Sequence, residues 1–141
     1  MTITELVDLL YQLKLADLNV TSLFKNQTGF NLTRYVILLF LKKNGRTTQG
    51  SLQRKLQIDN AAVTRHLKEL EEQGHVTRER NPQNNREVLV TLTAAAQQEL
   101  KHCGETPADK ILLAFFGEQF TPAEIAQLAG LLQRLSNLNL S

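Results

Sequence analysis

Ile3, Leu6, Leu9, Leu10 and Leu13 recur at three- and four-residue intervals, the period of one face of a helix. Ahead of them Thr2-Ile3-Thr4-Glu5 has the form of a capping box, in which hydroxyl and carboxylate each satisfy a backbone N–H. The pattern predicts an amphipathic helix starting at the terminus, continued by a weaker stripe of Val20, Leu23 and Phe24. Gln27-Thr28-Gly29 reads as a loop. Thr33 is placed to cap a second helix, Arg34 to Lys43, apolar on nearly every side and therefore buried, with Asn44-Gly45 as its stop.

Two shorter periodic segments follow. Thr47-Thr48 can cap a helix over 49–56 whose inward residues are Leu52 and Leu56. Gln57-Ile58-Asp59 is a tight connection, and Asp59 or Asn60 caps a longer helix to Gln73, with Gly74 as its stop. Val63, Leu67 and Leu70 form one face of that helix, and Ala61, Thr64, Arg65 and Lys68 form the other. After Gly74 the period drops to two. Residues 75–80 and 87–92 read as short strands, and the turn formers of Asn81-Pro82-Gln83-Asn84-Asn85-Arg86 between them predict a hairpin with a polar, basic tip. Thr93 caps a helix to about Cys103, Gly104 and Pro107 interrupt it, and a helical pattern resumes through Phe116. A second capping box, Thr121-Pro122-Ala123-Glu124, opens a last helix carrying Ile125, Leu128, Leu131, Leu132 and Leu135.

Helix, helix, turn, longer helix, glycine and hairpin in that order make a winged helix-turn-helix, mainly α with a small β wing. Residues 1–141 are read as one domain, with the winged helix-turn-helix at 32–93 and helical flanks at 1–31 and 94–141. The longer helix, held inward by its three apolar residues, turns short and polar groups outward. A major groove about 12 Å wide admits one such helix. Thr64 and Arg65 can then reach base edges, Asn60 and Lys68 flank them toward phosphates, and Thr48, Gln49 and Ser51 lie at the start of the preceding helix. Arg78, Arg80 and Arg86 can lie along the backbone or enter the minor groove.

Charge supports this placement locally. Residues 45–93 carry eight Lys/Arg against six Asp/Glu, whereas 94–141 carry three against five. Such an excess suits phosphate contact, although a solvated helix face has the same signature. With 141 residues and 42% hydrophobic content the chain can bury a core without disulfide or metal. A lone Cys103 cannot form an internal bridge, no signal-peptide pattern opens the chain, and its longest apolar run, Val36 to Leu41, is too short for a bilayer. A cytoplasmic protein is expected. No phosphate loop, HExxH, GxSxG or paired-cysteine motif occurs, so no catalytic residue and no cofactor is assigned. His66, His75 and His102 lack i, i+4 spacing, and no metal site is assigned either. Cys103 follows Lys101 near a helix end, and packing explains it more simply than redox chemistry.

The sequence resembles the multiple antibiotic resistance regulator (MarR) family. The likeness runs through Leu32-Thr33, Thr47-Thr48-Gln49, Leu56-Gln57-Ile58-Asp59, Ala62-Val63-Thr64-Arg65, Leu70-Glu71-Glu72-Gln73-Gly74, Val76-Thr77-Arg78, Asn81-Pro82-Gln83-Asn84-Asn85-Arg86 and Val90-Thr91-Leu92-Thr93. It implies a homodimer whose terminal helices form the interface, binding a palindromic operator on double-stranded DNA, commonly as a repressor released by a small aromatic or phenolic effector. It also implies an effector cleft between winged helix and dimer helices, near Tyr11, Phe30 or Phe40. Two departures stand out. The family's Asp-Pro-x-Asp-Arg-Arg wing has become Asn-Pro-Gln-Asn-Asn-Arg, so Asn84 replaces the acid that steadies the arginine aligned with Arg86, and alternation turns Glu87 to the opposite face. Gly50-Ser51 replaces the usual acidic residue of the short helix. The competing reading is a winged-helix module for protein–protein contact that binds no DNA.

Overall fold

A computed structural model describes residues 1–140. Helix α1, Ile3–Thr28, begins at the Thr2/Glu5 capping box and runs unbroken for 26 residues. The loop expected at 27–29 lies instead at 29–31. Thr28 stays helical because its hydroxyl donates to the Phe24 carbonyl at 2.7 Å, and Gly29 alone turns the chain at φ 78°, a left-handed conformation suited to glycine. Helix α2, Leu32–Asn44, starts two residues before the expected Arg34 because Asn31, not Thr33, is its cap, accepting from the Arg34 N–H at 3.2 Å. Asparagine is the stronger capping residue of the two, and taking it adds half a turn.

Strand β1, Thr47–Thr48, leads into α3, Gln49–Leu56, at the expected boundaries, and α4 occupies Asn60–Glu72. Gln57 between these helices is left-handed at φ 55°, the one non-glycine residue with positive φ among those described. Strand β2, Val76–Asn81, is shifted by one residue from the expected 75–80, and β3, Asn84–Leu92, starts three residues earlier than alternation predicts, leaving Pro82-Gln83 as the turn. The antiparallel sheet has order β1-β3-β2. Strand β1 was absent from the expected elements: two residues show no period, and their pairing of Thr47 with Val90 and Thr48 with Leu89 is non-local. Helix α5 covers Ala94–Leu100, three residues shorter than expected.

The core lies where α2, α3, α4, α5 and the sheet meet: Ile37, Leu38, Leu41, Leu52, Val63, Leu67, Leu70, Val76, Val90, Leu92, Ala96 and Leu100 are buried together. Each leucine, isoleucine or valine there contributes about 1.5–3 kcal/mol relative to exposure. The valine and leucines of α4 are fully enclosed, which fixes the roll of that helix and hence what faces outward.

The chain forms two compact units, 1–103 and 104–141. In the second, α6 spans Pro107–Gln119 and α7 spans Pro122–Ser136, the latter opened by the Thr121/Glu124 capping box. Neither helix has a buried residue. Ile125, Leu128, Leu131, Leu132 and Leu135 of α7 are 39–52% exposed, and Val7, Leu9, Leu10, Leu13 and Leu18 of α1 are exposed in the same way. Among the described residues no helix is long and apolar enough to cross a membrane.

Candidate nucleic-acid interface

Asp59 sets the start of α4 by accepting from the Ala62 N–H at 2.7 Å. With Val63, Leu67 and Leu70 turned into the core, Asn60, Ala61, Thr64, Arg65 and Lys68 are all exposed. The N-terminal half of α4 is tied to α3 through Gln49. Its carboxamide is buried, and its Nε2 donates to Asn60 Oδ1 at 3.1 Å and to Thr64 Oγ1 at 2.8 Å. Thr64 donates in turn to the Asn60 carbonyl at 2.9 Å. Thr48 caps α3 by accepting from the Ser51 N–H, and the Ser51 hydroxyl receives hydrogen bonds from Thr48 and Arg54, both at 3.0 Å.

The wing is held by short polar contacts. Arg78 gives its backbone N–H and its guanidinium to the two carboxylate oxygens of Glu71, each at 3.1 Å. These bonds, above all the guanidinium's, hold the Glu71 carboxyl below its ordinary pKa. Arg80 donates to the Asn85 carbonyl at 2.9 Å across the hairpin. Asn84 accepts from the Arg86 N–H at 3.2 Å, so it shapes the backbone under Arg86. The Arg86 guanidinium has no hydrogen bond or ion pair within the protein among the described residues.

These elements enclose an open groove of about 770 Å³ between the helix-turn-helix and the wing. Seven of the residues singled out from sequence line it: Thr48, Gln49, Asn60, Thr64, Arg78, Arg80 and Arg86. Ser51, Ala61, Arg65, Lys68 and Asn84 are outside that lining, Ser51 half-buried on α3 and the others exposed on α4 and the wing tip. The sequence reading missed Gln53 and Arg54, which line it from α3. Arg54 sits three residues after Ser51 on the same helix, a spacing that could have found it. Glu87 corrects the alternation argument. It lines the groove beside Arg86, and its carboxylate accepts from Asn81 Nδ2 at 3.0 Å. The sheet register shifts at Arg80/Asn81, so period-two counting across the hairpin tip fails there.

Behind the interface, Arg34 of α2 donates through Nε to His66 Nδ1 of α4 at 3.2 Å. Burial first, then the charges of Arg34 and Arg65, lower the His66 pKa below 6.5. Phe30 and Phe40 pack against the core, whereas Tyr11 is 58% exposed on α1. Phe30 also meets Tyr35 and His75 edge to face, at 5.5 and 5.4 Å. Cys103 is half-buried, with its sulfur 3.0 Å from the Tyr35 hydroxyl.

A buried-core helix-turn-helix followed directly by an antiparallel wing defines a winged helix-turn-helix protein. The MarR family model matches residues 30–88, the span of that unit. It is 39% identical over 98 residues to the uncharacterized HTH-type transcriptional regulator YdgJ of Bacillus subtilis. The matched stretch is 70% of this chain and 60% of that relative, so the chain spans less than two thirds of the relative's length. Among solved structures, reduced AbfR bound to DNA has a TM-score of 0.74 at 26% identity, covering 96% of this chain and 97% of that one. A mutant MarR from E. coli complexed with operator DNA shares the fold, at TM-score 0.81 and 23% identity, covering 96% and 98%.

Proposed function

We propose that the protein is a DNA-binding transcription regulator that works as a homodimer in the cytoplasm and has no catalytic activity of its own. The observation that carries this reading is the groove in which the N-terminal half of α4 and three wing arginines face the same space. In this reading α4 enters a major groove, with Ala61, Thr64 and Arg65 toward base edges and Lys68 toward phosphate; Asn60, expected from sequence to face phosphate, is assigned to the base edges because it shares Gln49 with Thr64. Thr48, Gln49 and Ser51 approach the backbone from α3. Arg80, Asn84 and Arg86 lie along the adjacent minor groove, with Arg78 behind them. The DNA-bound state of AbfR, similar over nearly the whole chain, supports the same partner here.

The unpartnered leucines of α1 and α7 are the surfaces on which two copies pair. Pairing by a two-fold axis gives inverted half-sites about one helical turn, roughly 10 bp, apart. The resemblance to the MarR family further favours repression relieved by a small aromatic or phenolic compound, bound near Tyr11, Phe30 or Phe40.

Sequencing the fragments that the full chain selects from a genomic DNA pool tests this. Recovery of a two-fold-symmetric consensus supports the reading, whereas single asymmetric half-sites or no enrichment overturns it. On the selected duplex, Arg65→Ala lowers affinity by about 1–3 kcal/mol at one base pair and relaxes specificity there. Equal weakening on every sequence would reduce Arg65 to a phosphate contact.

A further inference from the structure

The Gln49, Asn60 and Thr64 side chains form a closed hydrogen-bond network whose polarity is forced by one group that can only accept. The Asn60 backbone carbonyl has no proton, so the Thr64 hydroxyl must donate to it. Thr64 Oγ1 has then spent its only proton and can meet Gln49 solely as an acceptor, at 2.8 Å. Gln49 must therefore present Nε2, and the second hydrogen of that nitrogen requires Asn60 to present Oδ1, at 3.1 Å. Both amide orientations, invisible from heavy atoms alone, follow from this chain of donors and acceptors.

The consequence appears on the exposed side of α4. Asn60 Oδ1 is turned toward Gln49, and its Nδ2 has no partner in the protein among the described residues. Thr64 has spent its only proton and one lone pair on Asn60 and Gln49, so it has no donor left to offer, only one acceptor site and its γ-methyl. A donor beside a methyl at the start of the helix complements one base edge in the major groove: thymine, with its O4 acceptor and C5-methyl. Cytosine offers an amino donor there, adenine sets its N7 acceptor beside an amino donor and has no methyl, and guanine has acceptors without a methyl.

We propose that Gln49 is a positioning residue that fixes this pair, so that Asn60 and Thr64 together read a thymine in each half-site. This rests on the regulator reading above. Gln49 need not touch DNA to set the preference. Replacing its amide by a carboxylate would reverse the polarity: Gln49→Glu can only accept, so Asn60 must swing Nδ2 inward and present Oδ1 to the groove.

The test uses the full-length protein and duplexes it selects from a random-sequence pool, with each thymine of the half-site replaced in turn by deoxyuridine. Wild-type protein loses about three- to fivefold in affinity at one thymine per half-site, the worth of one buried methyl. Thr64→Ser, which keeps the hydroxyl network and removes the methyl, no longer distinguishes thymine from uracil at that position. In a repeat selection Gln49→Glu shifts the preferred base there toward adenine or cytosine, by about tenfold relative to thymine. Uniform weakening by the added charge leaves that ratio untouched and does not imitate the result. The inference is overturned if no thymine is sensitive to loss of its methyl, or if Thr64→Ser retains the sensitivity. A Gln49→Glu protein that keeps the wild-type consensus also overturns it. Should Gln49→Glu fail to fold, the uracil series on wild type and Thr64→Ser decides alone. Failure of the wild-type protein to enrich any sequence would instead sink the regulator reading itself.

Discussion

Glu71, in the last turn of α4, receives both the backbone N–H and the guanidinium of Arg78, at the start of the wing. One carboxylate thus joins the helix proposed for the major groove to the strand that carries Arg80 and Arg86. The angle between helix and wing determines whether both can engage a duplex at once, and this pair is a direct restraint on it.

Glu71→Ala should therefore cost about 1 kcal/mol of stability, at the upper end for an exposed ion pair because two hydrogen bonds are lost together. Chemical denaturation of both proteins measures it. The sign with pH follows from the lowered carboxyl pKa. The stabilisation is fully present above the unfolded value near 4.5 and is lost as pH falls through the lower folded value. The gap between wild type and Glu71→Ala should close on acidification, and a gap constant down to strongly acid pH would show that the charge is irrelevant.

His66 gives the same sign in a higher pH window. Its Nδ1 accepts from Arg34, so the folded protein holds a neutral imidazole with its proton on Nε2. Burial and the neighbouring arginines hold its pKa below 6.5. As pH falls through about 6.5 the unfolded chain takes up a proton first, and the folded state loses stability until the lower folded pKa is passed. His66→Gln, which keeps an acceptor for Arg34 but cannot titrate, should show a flatter denaturation midpoint between roughly pH 7.5 and pH 5.5 than wild type. Parallel curves would rule out His66 as the responsible group.

What could be read from sequence was mostly local. Thr2, Thr48, Asp59, Thr93 and Thr121 cap their helices because capping depends on three or four adjacent residues. The apolar stripe of α4 fixed its buried face, and with it the exposed Thr64, Arg65 and Lys68. What escaped was non-local. Strand β1 exists through residues some forty positions away in β3. Gln49 looks like a surface residue at a helix start, yet burial suits it because Asn60 and Thr64 satisfy its amide. Glu87 reached the groove through a register shift that a fixed alternation cannot contain.

The exposed leucines of α7 carry a prediction about assembly. Leu128 and Leu132 lie one turn apart and are 48% and 39% exposed, so charging both leaves the buried core of the first unit untouched. Leu128→Asp with Leu132→Asp should convert a dimer to a monomer of about 15.9 kDa by light scattering. The helical signal in circular dichroism should stay close to wild type. Removing two such contacts per copy forfeits roughly 1.5–3 kcal/mol for each leucine the interface fully buries. A double variant that remains dimeric would move the interface away from α7.

Arg86 offers the sharpest test of the wing. Its guanidinium is unpaired among the described residues, while the carboxylate beside it, Glu87, is occupied by Asn81. Asn84 holds the Arg86 backbone N–H, so the start of the side chain is oriented although its charge is not neutralised. An arginine so placed gains from the concentrated negative potential of a narrow minor groove. It also displaces condensed cations, at a slope of about −0.9 in log affinity against log salt per charge engaged. Two wings act in a dimer, so Arg86→Ala should flatten the measured slope by up to about 2. Asn84→Asp then separates orientation from charge. Its carboxylate can hold the same N–H more strongly, but it also brings a negative charge toward phosphate. Tighter binding to the selected site alone would mean that orienting Arg86 dominates, and weaker binding to every sequence would mean that charge does. Unchanged affinity and unchanged salt slope in Arg86→Ala would remove the wing from the DNA contact altogether.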